Sequence, residues 1–183
     1  MRLALPLVFS VLALLAAPVR AQQQGMVAAA NPIATEAGLK LLRAGGSAVD
    51  AAVAIQATLG LVEPQSSGVG GGAFMTYYDA RTKKVTAYDG RETAPASASP
   101  DLFLGEDGKP LPFSQAVLSG RSAGVPGAVA MLAMAQKEHG RLPWRTLFTD
   151  SEHLADDGFI VSPRLAGYIV GRAPQAHAPD VVA

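Results

Sequence analysis

The sequence contains no cysteine, so its residues offer neither a disulfide nor a thiolate nucleophile, and the usual ligands of a structural zinc site are absent. Its three histidines, His139, His153 and His177, fall in no spacing that sets two on one face beside a carboxylate, so no metal is expected. Neither charge sign is in excess: 15 Lys and Arg stand against 15 Asp and Glu, which leaves no electrostatic footprint for a nucleic acid. The apolar run from Leu3 to Ala17 contains Pro6 and is shorter than the roughly 20 residues a membrane helix needs. There is no internal repeat, no lysine in P-loop spacing after the glycines, and no sign of a cofactor.

The residues that are present begin with a recognisable address. Arg2 opens a short positive region, Leu3 to Ala17 is apolar, and Val19 and Ala21 are the small residues that a signal peptidase reads. Residues 1–21 are therefore expected to be a secretory signal peptide, placing the protein in a periplasm or outside the cell without a stable membrane anchor. Removing Arg2 and Arg20 with that segment takes away two basic residues and no acids, for a net charge of −2 on residues 22–183.

Downstream, Asn31-Pro32 reads as an N-cap followed by proline at the first helical position, for a helix running to Arg43 and ended by Gly45-Gly46. Ser47 with Asp50 three residues on has the form of a capping box for a helix over 48–61, so rich in alanine and aliphatics that little of it can face water. Ala73 to Asp79 and Lys84 to Asp89 alternate as strands, with ARTK between them as a turn. The stretch 92–124 reads as loop with a short helical turn at 101–104. Helices are then expected from Pro126 to His139, from Pro143 to Ala155, and from Pro163 to Val170 with Ser162 as cap. Helices, a hairpin and more helices make an α+β chain. The hairpin is short for the helices it must cover, so apolar surface is expected to stay open.

Two short motifs compete for the function. The first is EPQSSGVGGG, residues 63–72, whose glycines allow unusual backbone angles and close approach. Gly68 to Ala73 formally fits G-x-G-x-x-A, but that motif needs a strand before it and a helix after it, the reverse of the order here. The second is Gly120-Arg121-Ser122-Ala123-Gly124, which fits the G-x-S-x-G nucleophile elbow, with Asp157 and His177 downstream. A serine hydrolase using Ser122 is accordingly one open reading. Asp156-Asp157 before Gly158 suits a solvated helix end, and Trp144 a packing anchor. Arg91 follows the second strand through Asp89-Gly90, has Glu92 beside it, and could grip a carboxylate with two parallel hydrogen bonds.

The succession NPIATEAGLKLLRAGGSAVDAAVA, EPQSSGVGGGAFMTYYD, YDGRETAP, GVPGAVAML, RLPWRTLF and DGFIVSPRLA resembles the N-terminal part of the large subunit of γ-glutamyltransferases, also called γ-glutamyltranspeptidases or glutathione hydrolases. The resemblance runs from about Val27 to Ala166 and implies a partial N-terminal-nucleophile hydrolase fold, an αββα four-layer sandwich. It implies an acyltransferase and hydrolase made as a self-cleaving zymogen. A threonine freed at the start of a small subunit attacks γ-glutamyl amides such as glutathione, and the γ-glutamyl-enzyme passes its acyl group to water, an amino acid or a peptide. Arg91 corresponds to the family's arginine for the α-carboxylate of the glutamyl group, and the residues around Ser122 to a structural GVPG turn. None of the threonines from Thr35 to Thr149 lies in the family's nucleophile motif. Residues 22–183 are thus expected to be an incomplete portion of the large subunit, without a catalytic residue and inactive alone, whose partners are the rest of that subunit and the small subunit. A non-catalytic glutamyl-binding module is the remaining alternative.

The signal-peptide pattern makes a direct prediction: protein recovered from its native host should begin at Gln22. N-terminal sequencing checks it, and an intact Met1 on soluble cytoplasmic material would refute export.

Overall fold

The computed structural model describes residues 25–171, so the proposed signal peptide and His177 lie outside the described residues. Helix α1, Pro32–Arg43, starts where Asn31 accepts a hydrogen bond from the Ile33 amide at 3.0 Å. It stops in a Schellman turn: Gly46 N–H bonds Leu41 O, Gly45 N–H bonds Leu42 O, and Gly45 takes a φ of +91°. Helix α2, Ala48–Val62, follows at once behind the Ser47/Asp50 capping box. The two helices pack closely because Gly38 has no side chain; a Cβ there would lie 2.7 Å from Ile55 Cδ1.

Strands β1, Ala73–Asp79, and β2, Lys84–Gly90, pair antiparallel with Met75 opposite Tyr88 and Tyr77 opposite Thr86. Asp79 ties the turn by accepting from the Arg81 amide and the Thr82 hydroxyl. Because side chains alternate across a strand, Ala73, Met75, Tyr77 and Tyr88 form one face and join Val49, Val53, Met131, Leu132, Ala135 and Leu147 in the core. Phe74, Tyr78 and Val85 point the other way and are 67%, 58% and 65% exposed. The described residues thus form one sheet layer with its helices on one face, an α+β arrangement with the other face open.

Beyond the hairpin come α3, Phe113–Leu118, a 3₁₀ turn over Gly120–Ser122, α4, Ala128–His139, a 3₁₀ segment over Trp144–Phe148, α5, Thr149–Asp157, and α6, Pro163–Gly171. Three expectations are corrected here. Helix α4 begins two residues after Pro126, because the chain must first pass extended beside Thr93, with which Val125 exchanges two backbone hydrogen bonds. The helix expected over 143–155 is two pieces: Trp144–Phe148 winds more tightly to sink Leu147 into the core and set Trp144 edge-on to Phe148, and only then does α5 start. The short helix α3 lies inside a stretch read as loop, while 101–104 does form a hydrogen-bonded turn, Leu104 N–H to Asp101 O. No helix among the described residues is long and apolar enough to cross a membrane.

Two buried acids fasten the layers. Asp50, wholly shielded from solvent, accepts from the Ser47, Arg141 and Leu142 amides and from Gln136 Nε2, stitching the start of α2 to the end of α4. Burial pushes its pKa up, but the hydrogen bonds from the Ser47 and Arg141 backbone and the Gln136 side chain outweigh it, and the carboxyl ends below its ordinary value. Glu63 ends α2 and accepts from Asn31, Gln65 and Arg164 at 3.1, 2.6 and 3.0 Å, so the residue that caps α1 also reaches α6 through one carboxylate. On the sheet side, Tyr88 OH donates to Glu138 at 2.6 Å and lies 2.7 Å from His139 Nε2, while the His139 ring stacks on Tyr77 at 4.0 Å. Burial and the Glu138 carboxylate push the Tyr88 phenol up to about 12.

A carboxyl whose folded pKa is depressed contributes stability above its unfolded pKa and loses it as pH falls through the folded value. Asp50→Ala should therefore cost about 2–4 kcal/mol at neutral pH, since buried amides lose their acceptor, and the difference from the parent should shrink as pH falls below the ordinary aspartate range. Urea titrations at neutral and acid pH measure both.

Candidate functional site

The site is built where β2 ends. Gly90 and Gly127 meet backbone to backbone: a Cβ on Gly90 would lie 2.6 Å from Met131 Cβ and 2.9 Å from Gly127 O, and one on Gly127 would collide with the Gly90 carbonyl. This contact sets the last residue of β2 against the start of α4. The first free amides of α4 are also used, since Gly127 and Ala128 N–H both donate to Gly71 O, at 3.3 and 3.1 Å. The glycine tract, the strand end and the helix start are thereby one junction. None of Gly68, Gly70, Gly71 or Gly72 has a positive φ, so the value of the tract lies in what it leaves open: a Cβ on Gly72 would strike the Glu92 carboxylate and sit 2.9 Å from Glu92 N. The order helix, glycines, strand stands as read, which excludes the dinucleotide arrangement.

From this junction Arg91 projects into a cavity of about 530 Å³. Its amide donates to Asp89 Oδ1 at 2.9 Å, and its Nε lies 3.3 Å from Glu92 Oε2, with the side chain 71% exposed. The pairing engages the inner nitrogen and leaves the outer two free to form a fork. The facing wall is a lobe, residues 93–125, closed at its base by the Thr93–Val125 pairing. It contributes Leu102, Phe103 and Arg121 to the cavity.

Ser122 also lines this cavity, but it is not built as a nucleophile. Its hydroxyl lies 3.0 Å from Val117 O and 2.9 Å from Ser119 O, both acceptors for its single proton. The elbow needs a strand before it and a helix after it; here α3 precedes it, and Ala123 to Pro126 after it are not helical. Neither His139 nor His153 borders the cavity, and Asp156 and Asp157 are exposed at the end of α5. The structure thus joins Arg91 to the glycine tract and to Ser122's segment, and leaves Asp157 apart. Arg121 is the residue that sequence reading passed over; it stood inside the GRSAG motif, where attention fell on the serine.

The sequence profile described as gamma-glutamyltranspeptidase matches residues 34–179. The chain belongs to this family. It is 49% identical over 144 residues to a glutathione hydrolase proenzyme of Bacillus subtilis (strain 168), a match covering 79% of this chain and 24% of that protein. Among solved structures, the Helicobacter pylori γ-glutamyltranspeptidase superposes with a TM-score of 0.76 at 34% identity, covering 84% of this chain and 43% of that one. The Pseudomonas nitroreducens γ-glutamyltranspeptidase complexed with L-DON gives 0.75 at 36% identity, covering 80% and 43%. The chain spans about a quarter of the length of the curated relatives it matches.

The glycine junction is testable without substrate. Gly127→Ala should destabilise the protein by about 1–3 kcal/mol, because its new methyl meets backbone that cannot rotate away. Gly72→Ala should cost less and act on the site, since two of its three close contacts are with the flexible Glu92 side chain and only Glu92 N, at 2.9 Å, is backbone, whereas the Gly127 methyl would meet backbone alone. Thermal melts separate the two, and equal losses would mean that the Glu92 backbone contact, not its side chain, sets the cost at Gly72.

Proposed function

We propose that this segment serves an enzyme that cleaves γ-glutamyl amides, with Arg91 holding the α-carboxylate of the glutamyl group. The observation that carries the reading is the free guanidinium fork at the end of β2, steadied by Glu92 and opening into a cavity walled by a loop lobe. A planar fork matches a carboxylate with two charge-assisted bonds, which a lysine cannot reproduce. The names of the family's members, glutathione hydrolase and γ-glutamyltranspeptidase, supply the amide to be cut.

In this reading the nucleophile, a threonine hydroxyl activated by its own amine, and the donors that stabilise the oxyanion come from polypeptide beyond these 183 residues, as does the self-cleavage that frees the threonine. The exposed face of Phe74, Tyr78 and Val85 is what a second sheet would cover in a four-layer sandwich, so the same polypeptide completes the core. Export to a periplasm or the medium follows from the leader pattern of residues 1–21. In this reading the chain supplies the contact for the glutamyl end, and the groups that turn it over are supplied by the rest of the enzyme.

Arg91→Ala in the complete enzyme should raise KM for γ-glutamyl donors by an amount corresponding to about 2–4 kcal/mol, because the carboxylate loses its charged partner on entering the site. Arg91→Lys should recover only part of that. Precursor self-cleavage, which involves no glutamyl carboxylate, should proceed as before. Steady-state kinetics with gel analysis of processing measures all three, and an unchanged KM in Arg91→Ala would return Arg91 to an ordinary surface ion pair.

A further inference from the structure

The cavity that holds Arg91 contains a second guanidinium. Arg121 sits on the facing wall, and its Nη1 donates to Leu102 O and Leu104 O at 3.4 and 3.2 Å. Its Nε and Nη2 make no hydrogen bond among the described residues, and no carboxylate there pairs with it. Among the described residues, Arg91, Glu92 and Arg121 are the charged ones lining the cavity, which there carries one positive charge in excess. Arg91 has Glu92 as its counter-ion, and Arg121 has none among the described residues.

We propose that Arg121 binds a second carboxylate of the substrate and so selects γ-glutamyl peptides with a free C-terminus over simple γ-glutamyl amides. The inference rests on Arg91 holding the glutamyl end and adds the subsite for the other end. Three features make Arg121 fit for it. The two carbonyl bonds bias the guanidinium toward one orientation, which lowers the side-chain freedom lost when an anion docks. The nitrogens left over still offer the edge from which a carboxylate is bound in parallel. The two arginines come from different elements, one at a strand end and one in the lobe, and line one cavity; a γ-glutamyl tripeptide separates its terminal carboxylates by up to about 10 Å, within what a cavity of ligand size accommodates. The same bonds hold Leu102 and Leu104, so the residue that reads the second carboxylate also sets the wall beside it.

The test uses the complete enzyme, assembled from separately expressed subunits with the proposed nucleophilic threonine replaced by alanine so that probes are bound and not cleaved, and ¹⁵N-arginine labelling follows the Nε–H resonances of Arg91 and Arg121. Two probes are compared, glutathione and its glycine ethyl ester, which lacks the second carboxylate. Glutathione should move both resonances, and the ester should move Arg91 alone and bind about tenfold more weakly at low salt, with the gap closing as ionic strength rises. Arg121→Gln should bind glutathione as weakly as the parent binds the ester, and Arg121→Lys should restore part of the preference. If glutathione moves Arg91 but not Arg121, or if ester and acid bind alike, the Arg121 inference is overturned while the Arg91 reading stands. If neither resonance moves, or Arg121 moves alone, the Arg91 reading falls and takes the inference with it. If Arg121→Gln weakens both probes equally and speeds amide exchange at Leu104, Arg121 only braces the lobe and the inference is likewise overturned.

Discussion

The contact between Gly90 and Gly127, backbone against backbone, is the constraint on which the site depends. A strand end and a helix start ordinarily hold each other apart by the thickness of their side chains. Here both elements give up a Cβ at the same place, and a third glycine, Gly72, gives one up to Glu92. The three omissions bring β2, α4 and the glycine tract together, with Gly71 O accepting the first amides of α4. Arg91 is the residue that emerges from this close approach, so the proposed carboxylate contact sits on closely packed backbone.

Around that junction the polar interior is spent on fastening. Asp50 and Glu63 each satisfy several donors from separate elements, and Tyr88 brings Glu138 and His139 onto the sheet. Burying a carboxylate is favourable only when its lone pairs are filled, and both acids meet that condition with backbone amides, side-chain amides or an arginine. The scaffold under the site is therefore rigid, while the wall across the cavity is a surface lobe. Loops on a rigid frame are where recognition usually resides.

Much of this was legible in the sequence, for local reasons. The Asn31 and Ser47 caps, the Gly45 stop, both strands and their turn are each decided by chemistry within a few residues, and each stands where it was read. Arg91 was legible because strand alternation and the DGRE run place it at a strand end. What the sequence hid depends on partners far along the chain. Pro126 does not open α4 because Val125 is held by Thr93, and Trp144 to Phe148 does not simply extend α5 because Leu147 is drawn into the core. Arg121 was hidden for the same reason, since its carbonyl partners lie 17 and 19 residues away and no periodicity announces them.

The pairing of Thr93 with Val125 closes the lobe at its root, and that has an evolutionary consequence. The entropy of closing a loop rises only with the logarithm of its length, about 0.6 kcal/mol for each doubling. Residues can be gained or lost between the two anchors while the strand end that presents Arg91 stays in place. The strand-end half of the cavity is thereby conservative by construction, and the lobe half is free to drift, so under the proposed function relatives with this junction can take new leaving groups or acceptors by remodelling one surface excursion.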